Sequence, residues 1–224
     1  MVPQTDEGEE RKSAGCGADR AAHVTRLLVV RHGHVEGMSP ERFRGRRDVD
    51  LSDLGAQQAR ATAQGVAARW HPAAIYTSPL RRCQQTAAAI GTACGGLPAT
   101  ALEDLNDVHY GDWEWHTHEE VQARWPDLFE CWFAAPQLVR FPRGESFQEL
   151  LARMANVLRS VRERHADETV VVVGHSSGNR ALLLQALDQP LSAYWRLAQD
   201  ACSVSDIELL PRTATVRRLN EILY

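Results

Sequence analysis

The chain predicts a three-layer α/β/α sandwich with a largely parallel central sheet and a small helical lid. Three observations carry that expectation. Short apolar runs at Arg26–Val30, Ala73–Thr77 and Thr169–Val173 alternate with longer stretches of helical composition. Two of these runs end on a histidine, in Leu28-Val-Val-Arg-His-Gly33 and Glu168-Thr-Val-Val-Val-Val-Gly-His175. Ligands of open α/β sheets bind in the crevice beyond such carboxyl ends. Finally, the 224 residues suit one core and show neither an internal repeat nor a dividing linker.

Taken in order, residues 1–23 are polar, Gly/Ala-rich and aperiodic, and read as a disordered tail. Residues 24–224 then form a single domain, with the lid at about 104–142. The strand Arg26–Val30 leads into an Arg/Gly-rich loop over Gly33–Asp50. Ser52 can cap a helix through Ala56–Trp70, which His71-Pro72 ends. After the strand Ala73–Thr77, Pro79 occupies a helix start, and that helix reaches roughly Cys94. Residues 103–116 are polar and aromatic without a period, and read as a loop. Thr117 and Glu120 have the spacing of a capping box for a short helix to Trp125, and a second short helix follows Pro126. Gly144–His165 is the longest amphipathic helix, with Phe147, Leu150, Leu151, Met154, Val157, Leu158 and Val161 on one side. A helix over Gly178–Leu187 and a short one near Ala193–Ala198 follow the strand Thr169–Val173. Val204–Leu209 and Ala214–Arg218 read as a terminal hairpin.

Composition narrows the classes of function. A 44% hydrophobic and 24% charged chain of net charge −4 is ordinary for a globular protein, and gives no global attraction to nucleic acid or anionic membrane. The five cysteines are odd in number and lack CxxC spacing, which argues against a disulfide scaffold and a structural zinc site. A cytoplasmic location is the expectation, since residues 1–10 show no basic start followed by an apolar stretch.

The segments that carry chemistry are Arg31-His32-Gly33, Ser78-Pro-Leu-Arg-Arg82-Cys-Gln-Gln-Thr86 and Gly174-His175. Supporting them are Phe43-Arg-Gly45, Asp50-Leu-Ser-Asp-Leu-Gly55, Gly111-Asp-Trp-Glu114 and Gly144-Glu-Ser146. In this order they resemble the histidine phosphatase superfamily, also called phosphoglycerate-mutase-like, from about Arg26 to Leu209. Leu105-Asn, Gly144-Glu-Ser-Phe-Gln148 and Cys202-Ser-Val-Ser205 are similar to strings in its alpha-ribazole phosphatases, and also occur in sugar-phosphate phosphatases of the same branch.

The resemblance implies a division of labour. A phosphate monoester dianion repels nucleophiles until donors neutralise its oxygens, and Arg31, Arg82 and His175 are the implied donors. His32 is the implied nucleophile: a neutral imidazole attacks phosphorus and holds it as a phosphoramidate, with a backbone carbonyl setting the tautomer in the family. Arg82 is chosen over Arg81 because it stands four positions after Ser78, and adjacent helical residues point about 100° apart. Alignment on Tyr110-Gly111 places Asp107 where relatives usually carry a glutamate proton donor; Glu103, Glu114 and His109 are the alternatives. Gly33, His34, Arg44 and Ser176 are implied substrate contacts, with His34-Val35 replacing the more usual Glu-Thr. Trp115 stands where relatives commonly have glycine, and His116 and His118 read as exposed lid residues that bind no metal.

The expected function is metal-independent hydrolysis of a small phosphorylated metabolite, a sugar phosphate or alpha-ribazole 5′-phosphate type, through a phosphohistidine. Phosphoglycerate-mutase-type transfer and a non-catalytic phosphate-binding relative are the alternatives. No cofactor, metal, nucleic acid or membrane partner is expected, and a homodimer is left open.

Overall fold

The structure, a computed structural model, describes residues 23–224. The expectation of a disordered tail therefore lies outside the described residues, His23 excepted. A six-stranded sheet of order β3-β2-β4-β1-β5-β6 forms the centre. Its strands are β1 (Thr25–Arg31), β2 (Pro72–Thr77), β3 (Ala99–Ala101), β4 (Thr169–Gly174), β5 (Val204–Leu209) and β6 (Ala214–Glu221). The first four in the order β3-β2-β4-β1 are parallel, while β5 pairs antiparallel with both β1 and β6. The sheet is thus mostly parallel, with the expected hairpin as its antiparallel edge.

Alternation along the two central strands divides the core into two layers. Leu28, Val30, Val171 and Val173 face α1 (Asp53–Arg69) and α2 (Arg81–Ala93), packing on Ala63, Val66, Cys83, Ala87 and Ile90. Leu27, Val29, Val170 and Val172 face the opposite way, toward α5 (Phe147–Arg164) and α6 (Ser176–Ala186). The same layer continues into residues 104–142, where α3 (His118–Arg124) and α4 (Pro126–Ala134) sit among single-turn 3-10 segments. There the fully buried Trp113 makes edge-on contacts with Phe43, Trp132 and Phe141.

Helix starts follow the expected chemistry with three shifts. Ser52 accepts from the Gly55 N–H, and both Thr117–Glu120 and Ser146–Glu149 form complete capping boxes. The long helix begins at Phe147 rather than Gly144, because Ser146 is its cap. Pro79 does not open α2: the helix starts two residues later, and a carboxylate from the preceding loop, Asp48, caps the Arg81 N–H at 2.8 Å. The third shift is at α6, which starts at Ser176 rather than Gly178, directly after His175. Strand β3 was not expected; its three residues are all exposed and carry no apolar alternation to reveal it.

Candidate active site

Strand register brings the distant motifs together. Arg31 pairs with Gly174 across β1 and β4, and Thr77 pairs with Val173 across β2 and β4. His32, His175 and Ser78 therefore leave three adjacent strands at the same carboxyl edge. The rings of His32 and His175 lie 5.2 Å apart, centroid to centroid. Gly33 is a packing requirement at this corner, since a Cβ there would stand 2.6 Å from the Gly55 carbonyl oxygen.

His32 is 2% exposed and its Nδ1 lies 2.7 Å from its neighbour's carbonyl, Gly33 O. A carbonyl only accepts, so Nδ1 carries the proton and Nε2 keeps its lone pair. Burial foremost, then the charges of Arg82 and Arg31 and the nearby His175, hold this imidazole well below its ordinary value of 6.5. His175 is depressed in the same way by burial and by Arg82, Arg31 and Arg44, and its Nε2 lies 2.8 Å from Ser78 Oγ. Both rings are neutral at pH 7.

Three guanidinium groups, those of Arg82, Arg31 and Arg44, surround them. Arg82 is completely buried, donating to the carbonyls of Arg47 and Gly45 at 2.8 Å each. Arg81, one residue earlier, points outward to Asp48 and Asp50. Arg31 donates to Gln199 O at 2.5 Å; burial and the charges of Arg44 and Arg180 lower its pKa to about 10. Arg44 is anchored on Gly37 O at 2.6 Å. Among the described residues, the buried Nε atoms of both Arg31 and Arg82 lack a hydrogen-bond partner. Such concentrated, incompletely satisfied cations are suited to a multiply charged oxyanion.

Asp107 meets this cluster from the 3-10 turn region. One of its oxygens lies 3.3 Å from the Arg82 guanidinium and 3.6 Å from His175 Nδ1, while the other accepts from the Val108 N–H and the Ser177 hydroxyl. The alternative donors sit elsewhere: Glu103 accepts from Asn106, and Glu114 lies against His109 and the Arg46 N–H. Asp107 alone among these four lines the adjoining cavity, a space of about 200 Å³.

Arg31, Arg44 and Ser176 also line this cavity, with Ser176 in the first turn of α6, whose N-terminal amides favour an anion. Gly33 and His34, expected at the substrate, do not line it, and neither do His32, Arg82 and His175; the His34 ring is held by Ser52 at 2.8 Å, at the start of α1. His118, expected to be an exposed lid residue, is half-buried and part of the wall. Trp115 adopts φ 69°, the left-handed region that favours the glycine of relatives, stacks under Arg47 at 4.2 Å and does not line the cavity.

Sequence reasoning missed several participants. Ser177 could have been found from its place in the turn after His175, and Arg180 from its i, i+4 spacing to Ser176 on the same helical face. Nothing in the sequence signals that Glu145 ties Arg153 and Arg46 together beneath the Asp107 backbone. Arg153 donates to Asp104 O at 2.5 Å, Asn106 O at 3.0 Å and Glu145 at 2.7 Å, and Arg46 reaches Glu145 at 3.1 Å.

Comparison with known proteins agrees with this geometry. Residues 27–222 match the model of the histidine phosphatase superfamily, branch 1. Phosphoserine phosphatase 1 of Hydrogenobacter thermophilus is 34% identical over 88% of this chain and 92% of its own length. A metal-independent phosphoserine phosphatase of Arabidopsis thaliana is 30% identical over 73% of this chain and 69% of its own. Among solved structures, a mycobacterial glucosyl-3-phosphoglycerate phosphatase complexed with VO3 is 27% identical with a TM-score of 0.79, covering 87% of this chain and 98% of the other. The chain belongs to the histidine phosphatase superfamily and is a phosphatase enzyme.

Proposed function

We propose that the protein is a metal-independent phosphomonoesterase that hydrolyses a small phosphorylated metabolite through a phosphohistidine on His32. The carrying observation is the His32 Nδ1–Gly33 carbonyl contact, which leaves an unprotonated Nε2 among Arg31, Arg82 and Arg44. In this reading the guanidinium groups neutralise the phosphoryl oxygens and the neutral His175 donates a hydrogen bond to them, so the Nε2 lone pair forms the N–P bond as the P–O bond to the alcohol breaks. Asp107, beside both Arg82 and His175, gives its proton to the departing alkoxide. It then takes a proton from water, which attacks phosphorus, breaks the N–P bond and releases inorganic phosphate. The substrates printed in the relatives' names, phosphoserine and glucosyl-3-phosphoglycerate, are small phosphate monoesters and support this class.

The test is release of inorganic phosphate from p-nitrophenyl phosphate in chelator-treated buffer. Wild type should turn over and His32→Ala should fall to the uncatalysed background. Equal rates for the two proteins would remove the proposal.

A further inference from the structure

Resting on that reading, we propose that the aromatic part of the cavity wall is a ring-binding site, and that the natural ester carries a single ring on its alcohol. Two kinds of side chain line the cavity. Arg31, Arg42, Arg44, Arg180, Glu41, Asp107 and Ser176 are its polar part, cationic on balance and suited to phosphate. The remaining wall is dominated by rings, of which Tyr110, His118, Phe133 and Trp195 are only partly buried. Phe133 lines this cavity and is 48% exposed, so its ring is not fully covered by its neighbours.

These rings form a fixed corner. Trp195 donates its indole N–H to Trp132 O at 2.8 Å, crosses the Trp132 ring at 88°, and lies 5.3 Å from Phe133 at 36°. Arg180 braces the same wall from 5.1 Å over Trp195, with its Nε on Leu197 O at 2.7 Å. Pre-positioned aromatic faces bind a flat ligand group without an ordering cost at the moment of binding. Size points the same way. A dry cavity of about 150 Å³ accommodates benzene, so the space of about 200 Å³ here suits one ring linked to a phosphate. A bare three-carbon alcohol would leave much of the aromatic wall facing water.

The experiment compares kcat/KM for 2-phenylethyl, n-butyl and ethyl phosphate, whose alkoxides leave with similar difficulty. Burying one ring predicts a preference for the phenylethyl ester over ethyl phosphate of about tenfold to a hundredfold, with the butyl ester between them. Phe133→Ala and Trp195→Ala should each shrink that ratio by about threefold or more, and a ratio of two esters cancels any general loss of activity. Glucose 6-phosphate identifies the kind of ring: a rate near the phenylethyl ester assigns a sugar ring, a rate near ethyl phosphate an aromatic one. A wild-type ratio near one, a butyl ester equal to the phenylethyl ester, or ratios unchanged in both variants would overturn the inference. Phosphate release from ethyl phosphate would uphold the phosphatase reading in any of those cases, whereas its absence from every ester would defeat that reading itself.

Discussion

Arg153→Met probes how the fold aims Asp107 without touching the cavity. The Arg153 side chain is 17% exposed and its partner Glu145 9% exposed, so their ion pair is poorly screened. The substitution keeps the aliphatic stem but removes donors from Asp104 O, Asn106 O and both contacts to Glu145 Oε1. Hydrogen bonds to charged groups contribute about 1.5–3 kcal/mol each. Arg46 remains 3.1 Å from Glu145 and keeps its charge compensated, so the loss is smaller than the sum of the contacts. We expect about 3 kcal/mol, which for a domain of this size lowers Tm by roughly 6–12 °C. Asp107 should lose its aim as the carbonyls of residues 104–107 relax. In the folded variant at 20 °C, kcat should therefore fall about tenfold further for 2-phenylethyl phosphate than for p-nitrophenyl phosphate, whose phenolate leaves without a proton. Equal losses on both esters, or an unchanged Tm, would refute the positioning role.

Three other outcomes follow from the same geometry. Asp107→Asn should reduce turnover of alkyl esters by about a hundredfold to ten-thousandfold and of p-nitrophenyl phosphate by much less; parallel losses would move the proton donor elsewhere. Because burial keeps His32 and His175 neutral in the folded protein, the unfolded chain alone binds protons there as pH falls below 6.5. Stability to urea should therefore decline from pH 7 to pH 5 by up to about 1.4 kcal/mol per ring per pH unit, and His175→Gln should flatten that decline. Gly33→Ala forces a methyl onto the Gly55 carbonyl at 2.6 Å, and should cost about 1–3 kcal/mol and misplace His32, seen as a lowered Tm with a loss in kcat. A wild-type Tm in the Gly33→Ala protein would show that this corner is not tightly packed.

Much of the fold was legible because the central strands carry unbroken apolar runs, and Ser52 and Thr117 advertise their helix starts. Strand β3 was not, since it is held by backbone pairing to β2 alone, with exposed side chains. His32, His175 and Arg31 were legible because strand ends deliver them, and Arg82 because it stands four positions after Ser78. The hold on the His34 ring was not legible, because its partner Ser52 lies 18 positions away in the sequence. His118 looked exposed because only the tertiary packing of Phe43 and Trp132 on its ring makes it a wall. The carbonyl contacts of Arg153 are likewise invisible to any pattern, since they bind backbone rather than side chains.

The central claim is that Nε2 of His32 becomes covalently phosphorylated. Rapid alkaline quenching of wild type with a 32P-labelled ester should trap no more than one label per chain, stable to base, labile to acid, and located on His32 by peptide mapping. His32→Ala should trap none. Turnover without any trapped label, or label that persists in His32→Ala or maps to His175, would contradict the account.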